Sequence, residues 1–383
     1  MTSSMDRSPR QPGRRFRSRA LAAAGSLAIA GALLSGAIAP IRGEVAAADG
    51  TGGRPYVFAY YYIWFTPGSW DRAKDDLPAL GRYDSRDRAA IGQHIAWLQQ
   101  AGVDGLIVSW KHEDRLDAPL KIVIEEANKA GIELVMLYQG LDFERQPIEP
   151  DRIATDIRWF LDTYHASPTI APFGRPAIVW SGTWKFSDDE IARVRSAIGA
   201  PDRVLLFGSE RSAAEYAARA DLFDGDAYYW SSPDPLETPR YTERLADLSA
   251  AVHADSGVWI APAAPGFDAR LVGGKSVVPR RDGDTYRAAW AGAIASRPDA
   301  IGIISWNEFS ENSHIEPSQT MSTTYLDLTG ELIRSLGTGG VAPVRPNPGG
   351  SSVAWDRASL IIVTLVGVAI VAMTTHLRRR PES

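Results

Sequence analysis

The chain has 383 residues, 45% of them hydrophobic and 9% aromatic, which is material for one large core and excludes a disordered protein. A net charge of -5, with no Lys/Arg stripe interleaved with aromatics, excludes nucleic acid as a partner. No cysteine is present, so disulfides, thiol nucleophiles and thiolate metal sites are all excluded.

At the amino terminus, Arg14, Arg15, Arg17 and Arg19 precede an uncharged Ala/Leu/Ile/Gly run over 20–39 and then Ala46-Ala47-Ala48. A basic, then apolar, then small-residue order predicts an export signal over 1–48, cleaved after Ala48 or retained as a signal anchor. The Arg14-Arg15 pair raises twin-arginine export, but the residues after it match that signal poorly.

Eight β-rich runs follow, at 56–62, 105–110, 133–138, 177–180, 204–208, 223–229, 258–263 and 301–306. Helical patterns alternate with them at 88–101, 120–130, 151–164, 188–198, 212–220, 241–254, 284–296 and 325–336. Gly102 and Gly131 close the first two as C-terminal caps. Continuous apolar strands separated by helices imply a parallel sheet covered on both faces. Eight such units predict an α/β fold closed as a (β/α)8 TIM barrel, a single catalytic domain over 49–336. The alternative is an open doubly wound sheet. No glycine-rich phosphate fingerprint supports that, since the first strand runs into Tyr61-Tyr62-Ile63-Trp64-Phe65.

A Gly/Pro/Ser-rich linker occupies 337–357 and reads as a flexible tether. The uncharged stretch within 358–376 approaches the ~20 residues that span a bilayer. Arg378, Arg379 and Arg380 in the tail 377–383 place that end in the cytoplasm. The expectation is a single-pass protein of the cell membrane, its barrel extracytoplasmic and the lipid bilayer a partner through the carboxy-terminal helix.

Barrel chemistry sits at the carboxy-terminal ends of the strands. The residues there are Tyr60, Tyr62 and Trp64; Trp110 and His112; Tyr138 and Gln139; Trp180 and Trp184; Glu210; Tyr228, Tyr229 and Trp230; and Asn307, Glu308 and Glu311. Aromatic faces stack on the apolar side of sugar rings while amides and carboxylates take the hydroxyls, so this mixture predicts a carbohydrate substrate.

Just past the last strand runs Ile304-Ser305-Trp306-Asn307-Glu308-Phe309-Ser310-Glu311-Asn312-Ser313-His314-Ile315-Glu316-Pro317. Glycoside cleavage needs one carboxyl group to protonate the departing oxygen and a second to supply or generate a nucleophile. Glu308 at the strand end and Glu311 farther out fit that pair. A lone Glu-x-x-Glu is common on solvated helix faces, and position after the eighth strand is what lifts this one above that reading. Glu316 is expected to bond or cap locally. His94, His112, His165, His253 and His314 are scattered without metal-ligand spacing, so no metal and no cofactor are expected. No Gly-x-Ser-x-Gly elbow occurs, which leaves a serine hydrolase without support. Asp268 and Arg270, with Arg281, read equally as substrate contacts or as a loop ion pair.

The motif resembles the WNEWxEGxxIEP signature of glycoside hydrolase family 99, the endo-α-mannosidase family, and of related family-99-like domains. LPALGRYDSRDRAAIGQHIAWLQQAGVDGLIVSW from Leu77 resembles that family's segment in which a Pro-x-x-Gly-x-Tyr turn precedes a helix and a strand ending in Ser-Trp. FDGDAYYW from Phe223, and APAAPGFDARL from Ala261 with Arg281, Gly283 and Tyr286 beyond it, resemble its sixth and seventh strand regions. The resemblance implies retaining cleavage of an α-mannoside-like bond within a glycan chain, without metal or organic cofactor. It implies Glu308 as base on the sugar 2-hydroxyl, giving a 1,2-anhydro sugar, and Glu311 as general acid/base. Phe309 stands where the family has Trp, and Asn312 where it usually has Gly. The family's His-Ile-Glu-Pro-Tyr-like segment after the third strand, which contributes to sugar binding, is Tyr138-Gln139-Gly140-Leu141-Asp142 here, a departure that bears on the sugar recognised. A barrel that kept this cleft but lost turnover, acting as a surface polysaccharide receptor or assembly factor, is the competing reading.

Overall fold

The computed structural model describes residues 53–142 and 144–337. The expected signal 1–48, all but the first residue of the linker, the span 358–376 and the basic tail lie outside the described residues. Among the described residues no helix is long and apolar enough to cross a membrane.

Eight parallel strands close into a barrel: β1 (Tyr56–Tyr62), β2 (Gly105–Trp110), β3 (Glu133–Gln139), β4 (Ala177–Ser181), β5 (Leu205–Gly208), β6 (Gly225–Ala227), β7 (Val258–Ala263) and β10 (Ala300–Ile303). Closure is made by β1 pairing with both β2 and β10, with Tyr56 opposite Ala300 and Phe58 opposite Gly105. The remaining strands, β8 (Phe267–Asp268) and β9 (Val277–Val278), form an antiparallel hairpin after β7 that the sequence reading did not anticipate. Two-residue strands carry too little pattern to read.

Helices α1 (Arg88–Ala101), α2 (Asp114–Ala130), α3 (Pro150–Tyr164), α4 (Asp188–Ile198), α5 (Ala213–Ala217), α6 (Tyr241–Ala254), α7 (Asp284–Ala295) and α8 (Thr324–Ser335) follow the strands in turn. Local chemistry sets their ends. Asp87 accepts the Ala89 N–H to start α1, and Gly102, at φ 78°, ends it. Ser187 and Glu190 form a capping box on α4. The second helix begins at Asp114, earlier than the expected 120, because Pro119 is tolerated inside it, buried.

Alternation along each strand divides the core into two. Val57, Ala59 and Tyr61 of β1, with Leu106, Val108 and Trp110 of β2, pack outward against the helices. Phe58, Tyr60 and Tyr62 join Ile107, Val135, Leu137, Val179 and Phe207 inside the barrel. Gly302 of β10 is small for a reason visible in that interior: a Cβ there would stand 2.9 Å from the Tyr60 ring.

Candidate active site

Beyond β10 the chain folds back on itself to present the motif. Ser305 N–H donates to Ser313 O at 2.9 Å and Ile315 N–H returns to Ser305 O at 2.9 Å, closing a tight loop. At its tip, Glu308 N–H is held by Ser305 Oγ at 2.8 Å, and Glu308 Oε1 accepts from Ser310 N at 3.0 Å. Asn312 turns the chain in the left-handed region (φ 48°, ψ 36°), the conformation for which Gly is common and Asn is the best-suited substitute. Arg280 stabilises the same turn from behind: its Nη2 donates to Asn312 O and His314 O at 2.9 and 2.8 Å, and its guanidinium lies 4.4 Å from the Tyr325 ring centre. Phe309 stacks on His314 with centroids 3.9 Å apart.

A buried polar network underlies the loop. Asn307 spends its amide on the backbone of Tyr62, accepting from its N–H at 2.8 Å and donating to its carbonyl at 2.9 Å, and donates also to Tyr83 Oη at 3.3 Å. Tyr83 Oη donates to Glu316 Oε2 at 2.9 Å, and the other carboxylate oxygen meets His94 Nε2 at 3.1 Å. With Nε2 donating, His94 Nδ1 accepts from Tyr61 Oη at 2.9 Å. The partners of Glu316 are therefore distant in sequence, drawn from the first loop and α1. The network locks β1, α1 and the motif together, so Tyr62 is registered against Glu308.

The two carboxylates are unlike. Burial pushes Glu308 up to about 8, with the nearby Glu311 charge adding to the shift. Glu311 is half-buried; burial raises its pKa also, opposed by the Arg145 guanidinium from the loop after β3. Tyr62 and Tyr229 face these carboxylates. Their hydroxyls hydrogen-bond one another across the barrel, and burial together with Tyr229, Glu308 and Glu311 raises the pKa of Tyr62. Trp64 stacks on Tyr62 at 4.5 Å and Tyr60 lies 4.6 Å from Tyr229. Lys74, its own pKa lowered mainly by burial, is close enough to Glu308 for the charges to be felt. Lys74, Arg145 and Arg280 were not singled out from the sequence; all three sit in loops, where nothing in the local pattern marks a cation that reaches inward.

The other expected residues divide. Gln139 points inside, donating to Ser109 Oγ at 3.2 Å, and also bears on Tyr229. Trp184 and Trp230 meet at the rim, with centroids 4.8 Å apart. Trp110 and Tyr138 do not reach the mouth: they lie on the outward parity of β2 and β3, with Trp110 Nε1 donating to Asp117 and Tyr138 Oη to Asp156, both at 2.8 Å. His112 lies over that same outer layer, stacked 4.0 Å from Trp159 and 2.8 Å from Asp117. Glu210 is buried and spent on Thr183 Oγ1 at 2.7 Å. Asn307 is committed to Tyr62 as described, which makes it a clamp. Asp268 and Arg270 form an ion pair with each other, with contacts of 2.9 and 3.1 Å from Arg270 Nε to the two carboxylate oxygens, which is the loop alternative. Among the described residues, no group of three or more His, Cys, Asp or Glu is arranged to hold a metal. A surface depression lined by Arg211, Tyr228, Tyr241 and Arg244 lies between α5 and α6, apart from the motif.

The profile of glycosyl hydrolase family 71 matches residues 79–330 of this chain. A glycoprotein endo-alpha-1,2-mannosidase-like protein of Danio rerio is 24% identical over 292 residues, 67% of this chain and 63% of that protein. The glycoprotein endo-alpha-1,2-mannosidase of Rattus norvegicus is 20% identical over 65% of this chain and 59% of its own length. The chain thus spans about three fifths of these relatives. Among solved structures, the GH99 endo-alpha-mannosidase of Bacteroides thetaiotaomicron superposes with a TM-score of 0.67 at 20% identity, over 75% of this chain and 99% of that one. The barrel thus shares its fold with that structure, and the chain belongs to glycosyl hydrolase family 71.

Proposed function

We propose that this chain is a retaining, endo-acting glycosidase that cleaves α-mannoside-like bonds within a glycan or polysaccharide. The observation that carries the reading is the pairing of Glu308, raised to about 8 by burial and by Glu311, with Glu311 itself at the mouth beside the bonded Tyr62 and Tyr229. Two carboxyl groups that share one proton are what an acid and a base on one substrate require, and the reactive tautomer carries that proton on Glu311 with Glu308 ionised.

In the proposed reaction, ionised Glu308 takes the proton of the sugar 2-hydroxyl, and the freed 2-oxygen attacks the anomeric carbon. Glu311 gives its proton to the departing glycosidic oxygen as the anomeric C–O bond breaks, leaving a 1,2-anhydro sugar. Glu311 then takes a proton from water, whose oxygen opens the strained ring at the anomeric carbon, while Glu308 returns its proton to the 2-oxygen. Two displacements restore the starting anomeric configuration. The Ser310 N–H on Glu308 and the guanidinium of Arg145 near Glu311 temper the negative charge in the pair.

The pair carries one proton between its two macroscopic ionisations, so kcat/KM follows a bell whose falling limb lies near pH 8 and whose rising limb lies above the ordinary carboxylate range of about 4.3. The test is release of reducing ends from α-linked manno-oligosaccharides by the purified chain, with the anomer of the first product read by NMR. A β-anomer as first product overturns the retaining mechanism. Binding without any release supports the receptor reading. Tethering of this barrel to the outer face of a membrane through 358–376 is part of the same proposal, supported by the apolar run and the arginines after it. Extraction of the full chain from membranes by salt alone, without detergent, overturns that part.

A further inference from the structure

Tryptophans in this barrel mostly commit their rings or their N–H groups to the protein. Trp70, Trp110 and Trp259 donate to Tyr83 O, Asp117 and Ser296 at 2.7, 2.8 and 2.9 Å. Trp180, Trp290 and Trp306 are fully buried. Trp184 and Trp230 are half-buried, as Trp64, Trp97 and Trp159 also are, but these two rings meet each other, at 4.8 Å with their planes 46° apart.

Their place in the fold gives the pair a use. Trp184 sits in the short turn Thr183–Lys185 directly after β4, and Trp230 follows Tyr229 after β6, so both stand at the barrel end that carries Glu308. In the closed order β1-β10-β7-β6-β5-β4-β3-β2, β4 is diametrically opposite β10. The bonded Tyr62 and Tyr229 hydroxyls span the mouth between these sides, and Trp230 begins where that bridge ends. An opened pair of indole faces offers an apolar surface for the C–H face of a pyranose.

We infer that Trp184 and Trp230 form a distal sugar subsite, centred on Trp184 across the barrel from β10, which holds a residue of the substrate chain at least one sugar removed from the bond cleaved. This deepens the glycosidase reading and rests on it. A substrate that reaches from the turn after β10 to Trp184, after the strand opposite it, has to be a chain, so the site senses length. Linear oligosaccharides long enough to cross the mouth gain affinity that short ones lack.

The experiment uses the full chain and α-linked manno-oligosaccharides of increasing length. For the wild type, kcat/KM rises by about 10-fold at the length that first reaches the rim, as expected of two stacked contacts. In Trp184→Ala, and in Trp184→Ala combined with Trp230→Ala, that rise flattens, whereas Trp230→Phe keeps most of it because the ring remains. A parallel calorimetric titration of Glu311→Gln, with and without Trp184→Ala, reads binding without turnover. A length-dependent Kd lost on Trp184→Ala supports the subsite even if no wild-type cleavage occurs, in which case the hydrolase reading alone fails. A length dependence that survives both alanine substitutions, or binding of no oligosaccharide in the series, overturns the inference.

Discussion

On the β10 and β1 side of the mouth, Glu308 and Tyr62 are fixed by bonds to Ser305, Ser310 and the amide of Asn307, with Tyr83, Glu316 and His94 buried beneath. On the β4 and β6 side, Trp184 and Trp230 stand half-exposed against one another in short loops. Under the proposed function, the difference separates two tasks. Proton transfer tolerates little displacement of the groups that perform it, and a buried network supplies the rigidity. Stacking on a sugar face is less directional, so half-exposed rings on loops suffice for it.

The largest effect that sharpens this contrast is expected from Glu311→Gln. It removes the transferable proton without changing shape, and kcat should fall by about 10²–10⁴-fold while oligosaccharide binding, read by calorimetry, persists. Equal loss of binding would dissolve the division between the two sides.

Glu308→Gln tests the strain stored on the rigid side. The carboxyl is raised to about 8 in the fold, whereas the unfolded chain holds it near the ordinary value of about 4.3. Below the lower value both states are protonated and stability is complete; as pH rises toward 8 the unfolded chain ionises first and stability is lost. The amide should therefore stabilise the protein by about 2–4 kcal/mol at pH 8 and by almost nothing below about pH 4. Denaturant titrations at both pH values check this, and a gain independent of pH would contradict the burial of that charge.

Asn307→Ala removes three bonds at once. Stability should fall by about 1–3 kcal/mol, and kcat by about 10-fold or more with KM nearly unchanged, because the side chain touches Tyr62 and Tyr83 and positions them. Loss of stability without loss of kcat would make the clamp purely architectural. The smallest effect is expected from Trp110→Phe, which gives up the bond to Asp117: about 1 kcal/mol of stability, with KM unaltered in steady-state assays. A raised KM would mean that the outward face of β2 reaches substrate after all.

That last comparison also marks the limit of what the chain reveals before folding. Helices α1 and α4 were legible to the residue because Asp87, Ser187, Gly102 and Gly199 punctuate amphipathic runs. The barrel was legible from eight apolar runs between them, and the carboxylate turn from its own unusual spelling. The facing of Trp110 and Tyr138 was not, because strands buried on both sides lack the polar alternation that distinguishes inside from outside. Parity there depends on where pairing begins, as in Gly105 opposite Phe58, and that is a tertiary fact. Arg280, holding Asn312 and His314 from 32 and 34 residues away, was illegible for the same reason.

Tyr60, Tyr61 and Tyr62 follow one another in β1, yet the first and third serve the interior while the second serves His94 on the helical side. An inserted or deleted residue upstream within that strand would exchange the two sets, sending a phenol meant for the relay into the reaction space and withdrawing the one that faces Glu308. Divergence in this stretch is therefore confined to replacement of one side chain by another, whereas the βα loops on the far rim are free to lengthen and shorten. Under the proposed function, new sugar preferences would arise by remodelling those loops, on a first strand whose count of residues is frozen.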